Sequence, residues 1–223
     1  MKTVLTDVMG TVVNGGFVRD LMHYFSDHGD VFVETATAED LELIDKIRKD
    51  ATLGTRADVV DHLKAKMKGR EFHPDYLALL GKVTAQGYES GALTAPVFDD
   101  DPGALRERKQ NDKGIYVFSN GTQDEQARML RTSNQGDISG LFDGFIDTAE
   151  VGSKTDPESY RRIAGERAID PRDIVFLSDL VTELDAADQA GYNATLVNRP
   201  GNKEQPAHSY GTITSFRDVD LSL

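Results

Sequence analysis

The chain of 223 residues is long enough to bury a substantial core, as one α/β domain with an insertion or as two small domains. Its 25 basic and 38 acidic residues give a net charge of -13, which disfavours nucleic acid and anionic membranes as partners. The sequence has no cysteine, which excludes disulfides, thiolate catalysis and cysteine-bound metals. It shows neither a signal-peptide pattern nor an apolar run of membrane-spanning length, and together these features favour a cytoplasmic protein.

The first predicted element is a short buried strand, residues 4–6, which ends at Asp7. Gly10 and Thr11 follow, and they allow a sharp turn and supply a backbone and a hydroxyl group for an anion. An aspartate at the carboxyl end of a parallel strand is where open α/β sheets place their chemistry. The alternative is that the aspartate and the glycine form only a turn. This stretch alone leaves both interpretations open.

Four stretches with apolar residues at helical spacing come next, with no predicted strand among them. The predicted helices cover residues 17–25, 38–49, 56–67 and 74–86, and Thr37 is the expected N-cap of the second. They indicate a small helical unit that is inserted after the first strand. Residues 87–96 carry glycines and little periodicity, so we interpret them as a return linker.

Beyond residue 99 the predicted helices and strands alternate. The helices are expected at 102–110, 123–131, 156–168 and 181–190. The strands are expected at 114–118, 144–147, 174–177 and 194–197, with a further strand near 212–214. This alternation implies right-handed crossovers and a parallel sheet that is covered by helices on both faces. The predicted fold class is therefore α/β.

Three predicted strands end in polar residues, namely Asp7, Ser119 and Asp179. In a parallel sheet these residues converge at one edge, where a divalent cation relieves the repulsion between the carboxylates, and oxygen ligands of this kind suit Mg²⁺. Ser119 and the amides of residues 120–122, at the start of a helix, can hold phosphate oxygens. Lys154 can neutralise either a phosphoryl group or the nucleophile. Asp7 is then expected to attack phosphorus and form an aspartyl-phosphate that water hydrolyses.

These motifs occur in the order found in phosphatases of the haloacid dehalogenase superfamily, which the chain resembles. They are Asp7-Val8-Met9-Gly10-Thr11, Ser119, Lys154, and Ser178-Asp179 with Glu183. Residues 141–145, 152–164, 176–187 and 199–201 are most similar to the enolase-phosphatases of methionine salvage, as are residues 15–18 and 87–91. The resemblance implies a Rossmann-like α/β core of residues 1–13 and 92–223. It also implies a mobile helical cap of residues 14–91.

The resemblance also implies the roles of the site residues. Mg²⁺ is expected to be bound by Asp7, the Met9 backbone carbonyl and Asp179, with Glu183 behind them or acting through water. The transferred phosphoryl group is expected to contact Thr11, Ser119, Asn120, Gly121 and Lys154. The implied substrate is 2,3-diketo-5-methylthiopentyl-1-phosphate, which is enolised and then dephosphorylated by a monomer or small homo-oligomer. For Glu183, a helix N-terminal charge that the dipole favours is an equally good interpretation.

Met9 departs from the family pattern, which has an acidic residue two positions after the nucleophile. That acid protonates the leaving oxygen and then activates water, which is worth ~10²–10⁴-fold in rate. Three alternatives follow: another group replaces the acid, the leaving group needs no proton, or turnover is slow. A phosphonatase-like or dehalogenase-like enzyme and a phosphate-binding regulatory protein therefore remain as rival functions. Asp179 argues against a dehalogenase, because those enzymes dispense with the metal and its ligand.

Other polar and aromatic residues carry weaker functional signals. The five histidines show no metal-ligand spacing and are interpreted as surface or packing residues. Arg199 can either reach a substrate or form a salt bridge. Phe17, Tyr88 and Glu89 of the predicted cap can contact substrate, although packing explains Phe17 and Tyr88 equally well.

Overall fold

The computed structural model describes residues 3–69, 73–111 and 114–219. The chain divides into two compact units. The first combines Met1–Phe17 with Thr94–Leu223, and the second is Val18–Leu93. None of the helices within the described ranges is both long and apolar enough to cross a lipid bilayer.

The second unit is helical, and its helices lie where the periodicity of the sequence predicts them. They are α1 (Phe17–Glu34, beginning at the end of the first unit), α2 (Ala38–Asp50), α3 (Asp58–Lys68) and α4 (Pro74–Glu89). Thr37 is confirmed as the N-cap of α2, because its hydroxyl accepts a hydrogen bond from the Asp40 amide at 3.3 Å. The apolar faces of the helices pack into one buried cluster. Its fully buried members include Phe25, Ile44, Ile47, Leu63 and Leu79.

Two of these helices extend further than predicted. Helix α1 continues past residue 25 to Glu34, and α4 continues to Glu89, so the return segment begins later than residue 87. A Cβ atom at Gly29 would lie 3.0 Å from Cγ1 of Val60. The polar residues around Gly29 break the apolar periodicity, but the absence of a side chain lets α1 approach α3, and this packing outweighs the poor helix propensity of glycine.

The first unit contains a six-stranded sheet in which every pairing of neighbours is parallel. Its strands are β1 (Thr3–Thr6), β2 (Ile115–Ser119), β3 (Gly144–Asp147), β4 (Ile174–Ser178), β5 (Asn193–Val197) and β6 (Gly211–Ile213). Their order across the sheet is β3-β2-β1-β4-β5-β6. This is the order of a doubly wound Rossmann-like sheet, which confirms the predicted α/β fold class.

Helices cover the sheet, as the near-continuous apolar strands require. They are α5 (Asp101–Gln110), α6 (Gln123–Arg131), α7 (Thr148–Val151), α8 (Pro157–Glu166) and α9 (Val181–Gln189). The short helix α7 was not predicted, because its four residues are too few to show a period. Tyr160 of α8 is fully buried, and its ring makes edge contacts with Phe118 of β2 and Phe176 of β4. These three rings pack α8 against the central strands of the sheet.

The register of the central strands sets the position of the candidate site. Thr6 at the end of β1 pairs with Val117 of β2 and Leu177 of β4. The residues that follow these three strands therefore emerge at the same edge of the sheet. Open α/β sheets bind their ligands in the crevice outside this carboxyl edge.

Candidate active site

Asp7 begins a tight loop that follows β1. Its amide donates a hydrogen bond to the Leu177 carbonyl at 2.8 Å, and the residue is only 5% exposed. The loop closes on itself, because the amides of Val12 and Val13 both donate to the Val8 carbonyl, at 2.9 and 2.8 Å. Asp7 is therefore fixed by both the sheet and the loop behind it.

Lys154 lies between two carboxylates in the interior of the first unit. Its ammonium donates a hydrogen bond to Oδ1 of Asp7 and lies 2.8 Å from Oε2 of Glu183. Burial alone would lower the pKa of Lys154, but the charges of Asp7 and Glu183 and their hydrogen bonds raise it above its usual value. The lysine is therefore a permanent cation beside the candidate nucleophile.

Two hydroxyl groups hold this cluster in place. The Tyr160 hydroxyl donates to the Lys154 carbonyl at 2.8 Å, and the Ser178 hydroxyl donates to Oε2 of Glu183 at 2.7 Å. Sequence reasoning did not identify either contact, and it assigned Glu183 to the metal or to the helix dipole. In the structure, the side chain of Glu183 pairs with Lys154 and Ser178 instead. A metal-linked role for Glu183 stays a prediction.

Asp179 lies against the loop of residues 7–13, which carries the candidate nucleophile and is called the nucleophile loop below. Gly10 has φ +88°, and a Cβ atom on it would collide with the Asp179 carboxylate. Only glycine combines this backbone conformation with so close an approach. Burial, and then the negative charges of Asp7 and Glu183, raise the pKa of Asp179 to about 7. Asp179 also lines a cavity of about 280 Å³ together with Asn202.

Strand β2, which is next to β1, ends at Ser119, and Asn120 and Gly121 follow it. Their loop leads into α6, where the Thr122 hydroxyl accepts a hydrogen bond from the Glu125 amide at 3.3 Å. Among the described residues, the side chains of Ser119 and Asn120 form no hydrogen bond with Asp7, Lys154 or Glu183. The geometry is that of a strand, loop and helix N-terminus, which is suited to anions.

Thr11 lies in the loop after Asp7 and is fully buried. Its hydroxyl has no hydrogen-bond partner among the described residues. An unpaired buried hydroxyl costs free energy, and it is available to an oxygen-bearing ligand. Its burial within the loop that follows Asp7 is compatible with the phosphate contact predicted from the sequence.

The oxygen groups near Asp7 have the chemistry that a divalent cation requires. The two carboxylates of Asp7 and Asp179 and the Met9 carbonyl are hard ligands of the kind that Mg²⁺ binds. Within the described residues, the three carboxyl groups of Asp7, Asp179 and Glu183 surround one cation, Lys154, so carboxyl groups outnumber cations here. In residues 3–69, 73–111 and 114–219 no group of three or more His, Asp or Glu side chains has metal-binding geometry. Two carboxylates suffice for Mg²⁺, since it keeps several waters and also binds substrate phosphate.

Glu125 is a buried carboxyl that sequence reasoning missed. Its Oε2 atom has no hydrogen-bond partner among the described residues, and it lies 2.8 Å from where a Cβ atom of Gly121 would stand. The carboxyl therefore lies against the backbone of the candidate phosphate loop. Burial raises the pKa of Glu125 to about 7, although the charge of Arg128 acts in the opposite direction.

Glu125 is expected to make the protein less stable as the pH rises. Its carboxyl binds a proton more tightly in the folded protein than in the unfolded chain, so the free energy of unfolding falls between pH 4.5 and about 7. Above that range, ionisation costs the folded state at most about 3 kcal/mol, at about 1.4 kcal/mol for each pKa unit. We expect Glu125→Gln to gain stability relative to the wild type across this range, as measured by urea unfolding at a series of pH values.

Glu158→Gln is the matched control for this measurement. Glu158 also lies in the first turn of a helix, α8, but its side chain is exposed. Its substitution should change the free energy of unfolding by less than about 0.5 kcal/mol at every pH. A Glu125→Gln difference that does not vary with pH would contradict the prediction.

The remaining sequence candidates lie mostly in packing positions. Phe17 and Tyr88 are buried at 3% exposure each, whereas Glu89 is exposed. Arg199 forms ion pairs with Asp100 and Asp101, which is the salt-bridge alternative of the two that the sequence left open.

Comparison with known proteins identifies the family. Residues 1–191 match the family model described as haloacid dehalogenase-like hydrolase. The chain is 35% identical to enolase-phosphatase E1 of Pseudomonas aeruginosa (strain LESB58), over 98% of each chain. It is 34% identical to enolase-phosphatase E1 of Xylella fastidiosa (strain 9a5c), over 93% of this chain and 90% of that protein.

A solved structure shows the same similarity in three dimensions. The UTR4 protein of Saccharomyces cerevisiae superimposes with a TM-score of 0.79 and 27% sequence identity, over 98% of this chain and 99% of that chain. These similarities confirm the resemblance inferred from the sequence motifs. The chain belongs to the haloacid dehalogenase-like hydrolase family.

Proposed function

We propose that the protein is a Mg²⁺-dependent phosphatase that hydrolyses a small phosphorylated metabolite through an aspartyl-phosphate. The buried contact between Asp7 and Lys154 at the carboxyl edge of β1 is the observation that carries this proposal. A carboxylate that is fixed by the sheet and paired with a permanent cation is oriented for attack. The family, whose members are hydrolases, supports the same reaction class.

In the first step, an oxygen of Asp7 attacks phosphorus, and the bond between phosphorus and the ester oxygen breaks. In the second step, water attacks the aspartyl-phosphate, which releases phosphate and regenerates Asp7. The Lys154 ammonium orients the Asp7 carboxylate and offsets the charge of the phosphoryl oxygens. The hydroxyl of Thr11 and the loop of Ser119, Asn120 and Gly121 bind the oxygens that do not react.

Asp7, Asp179 and the backbone carbonyl of Met9 are the groups that would hold Mg²⁺. When bound, the cation would supply positive charge that stabilises the developing charge on the phosphoryl oxygens. The excess of carboxylates over cations around Asp7 supports this assignment. Glu183 supports the site from behind, through its ion pair with Lys154.

The relatives support a substrate as well as a reaction class. Proteins named enolase-phosphatase E1 are similar to almost the whole chain. On this basis the substrate is 2,3-diketo-5-methylthiopentyl-1-phosphate of methionine salvage. The enzyme then works as a monomer or small homo-oligomer on a small soluble metabolite.

Met9 favours a second candidate function. Its thioether cannot donate a proton, so position 9 supplies no acid for an alkyl or enol leaving group. Methionine at this position fits a hydrolase whose leaving group departs as a stable anion, as in phosphonatase-like chemistry. A protein that binds phosphate without turnover is the alternative outside enzyme catalysis.

The deciding experiment measures phosphate release from an aryl phosphate, whose leaving group needs no acid. We expect the purified protein to release phosphate when Mg²⁺ is added and to stop when a chelator removes it. Failure to release phosphate, together with retained binding of phosphate or beryllium fluoride, would favour the binding protein. A screen of phosphorylated metabolites, including the diketo ester, then identifies the substrate.

A further inference from the structure

The turn after β5 contacts the nucleophile loop directly. The side-chain amide of Asn202 donates a hydrogen bond to the Gly10 carbonyl at 2.8 Å and another to the Val197 carbonyl at 3.2 Å. Arg199, in the same turn, donates from Nε to the Thr11 carbonyl at 3.2 Å. Two successive carbonyls of the loop are therefore held by side chains from the far end of the chain.

This turn is itself anchored in the interior of the first unit. The Arg199 side chain is 2% exposed and forms ion pairs with Asp100 and Asp101. Its guanidinium group lies over the rings of Phe98 and Phe216, at 4.7 and 5.3 Å from their centroids. A buried arginine with so many partners cannot move independently of the core, so it gives Asn202 a rigid base.

The peptide of Gly10 lies between Asn202 and Asp179. Asn202 binds its carbonyl, the Asp179 carboxylate covers its Cα atom, and its amide donates to the Val13 carbonyl at 2.7 Å. Glycine has wide backbone freedom. Without Asn202, the Gly10–Thr11 peptide would be held less firmly, through the 3.2 Å hydrogen bond from the Thr11 amide to the Val8 carbonyl. Rotation would shift the segment that connects Asp7 to the contact with Asp179.

We infer that Asn202 is a positioning residue that fixes the Gly10 peptide and thereby the spacing between Asp7 and Asp179. This inference rests on the proposed function, since it assigns both carboxylates to the reaction. The amide acts through the backbone and does not touch the reacting atoms. Its effect is therefore expected on the rate of the chemical step more than on substrate binding.

Asn202→Ala tests the inference, with Asn193→Ala as its matched control. Asn193 lies at the opposite end of β5, and its side-chain amide also donates to two carbonyls, those of Arg172 and Ile174, at 2.8 and 3.3 Å. We expect Asn202→Ala to lower kcat for an aryl phosphate by about 10-fold to 100-fold, with KM changed by less than about threefold. The control should keep kcat close to that of the wild type.

Asn202→Asp separates the hydrogen bond from the volume of the side chain. The carboxylate has almost the same size but cannot donate to the Gly10 carbonyl, so its kcat should be as low as that of Asn202→Ala. A wild-type kcat in Asn202→Asp would overturn the inference, because it would show that the donor is unnecessary.

Hydrogen exchange supplies a readout that does not depend on catalysis. In Asn202→Ala, the amides of residues 10–13 should exchange faster by about 2-fold to 10-fold, the range that corresponds to the loss of one hydrogen bond. The rest of the sheet and the Asn193→Ala control should exchange as in the wild type. Unchanged exchange at residues 10–13, or an equal increase throughout the first unit, would overturn the inference. If the wild type hydrolyses no phosphate ester, the proposed function fails, and the exchange data still decide the role of Asn202.

Discussion

Asp7→Asn is expected to lower the rate of phosphate release by about 10³-fold or more, because the amide oxygen is a poor nucleophile. Asparagine keeps the size of the side chain and still accepts the hydrogen bond of Lys154, which retains its ion pair with Glu183. The fold should therefore persist while turnover disappears. The measurement is steady-state release of phosphate from an aryl phosphate at saturating Mg²⁺.

Asp185→Asn is the matched control for this substitution. Asp185 lies on α9, where its carboxylate accepts a hydrogen bond from the Tyr210 hydroxyl at 2.6 Å, a role that an amide oxygen can also fill. We expect this variant to retain the wild-type rate. If Asp7→Asn turned over as fast as the control, Asp7 would not be the nucleophile, and the proposed mechanism would be wrong.

Met9→Glu is expected to accelerate hydrolysis of esters with poor leaving groups by about 10²-fold or more, within the range that a positioned general acid contributes. Met9 is half-buried in the nucleophile loop, where its backbone bridges to Val13. A carboxyl at this position can protonate the leaving oxygen and then activate water. The methionine side chain can perform neither task.

A series of aryl phosphates with progressively less acidic phenols provides the measurement. Wild-type rates should fall steeply along the series, whereas the rates of Met9→Glu should fall much less, since the new acid supplies the proton. Met9→Gln is the control, because its side chain has the same length as glutamate and no acidic proton. Lower rates in Met9→Glu with every ester would instead mean that the site is adapted to methionine.

The carboxyl edge of the sheet could be predicted from the sequence because it depends on local signals. Asp7, Ser119 and Asp179 each follow a compact apolar run, and alternating helices imply that such runs are parallel. The observed order of the strands confirms this reasoning. The strand ends, and therefore the neighbourhood of the site, follow from patterns only a few residues long.

The contacts inside the site could not be predicted in this way. Lys154 was expected to neutralise either a phosphoryl group or the nucleophile, but only the structure shows its contact with Asp7, across 147 positions of sequence. Asn202, which was not predicted, contacts Gly10 across 192 positions. Neither residue belongs to a helix or strand whose period would orient its side chain. The positions of these side chains depend on how the loops pack against the folded sheet. The spacing of apolar residues along the sequence contains no information about that packing. Glu125 was missed for a related reason, since a glutamate in the first turn of a helix is usually exposed.

The position of β1 at the centre of the sheet has a consequence for the order in which the protein assembles. Val4 pairs with Ile115 on one side and with Val175 on the other, so the first strand along the chain needs partners that are made much later. At ~5–20 residues per second, β4 follows β1 from the ribosome roughly 10–30 seconds later. The helices of Val18–Leu93 form a compact unit of their own and can assemble in the interval. The carboxyl edge around β1 is thus completed only when β4 joins a strand that was synthesised long before it.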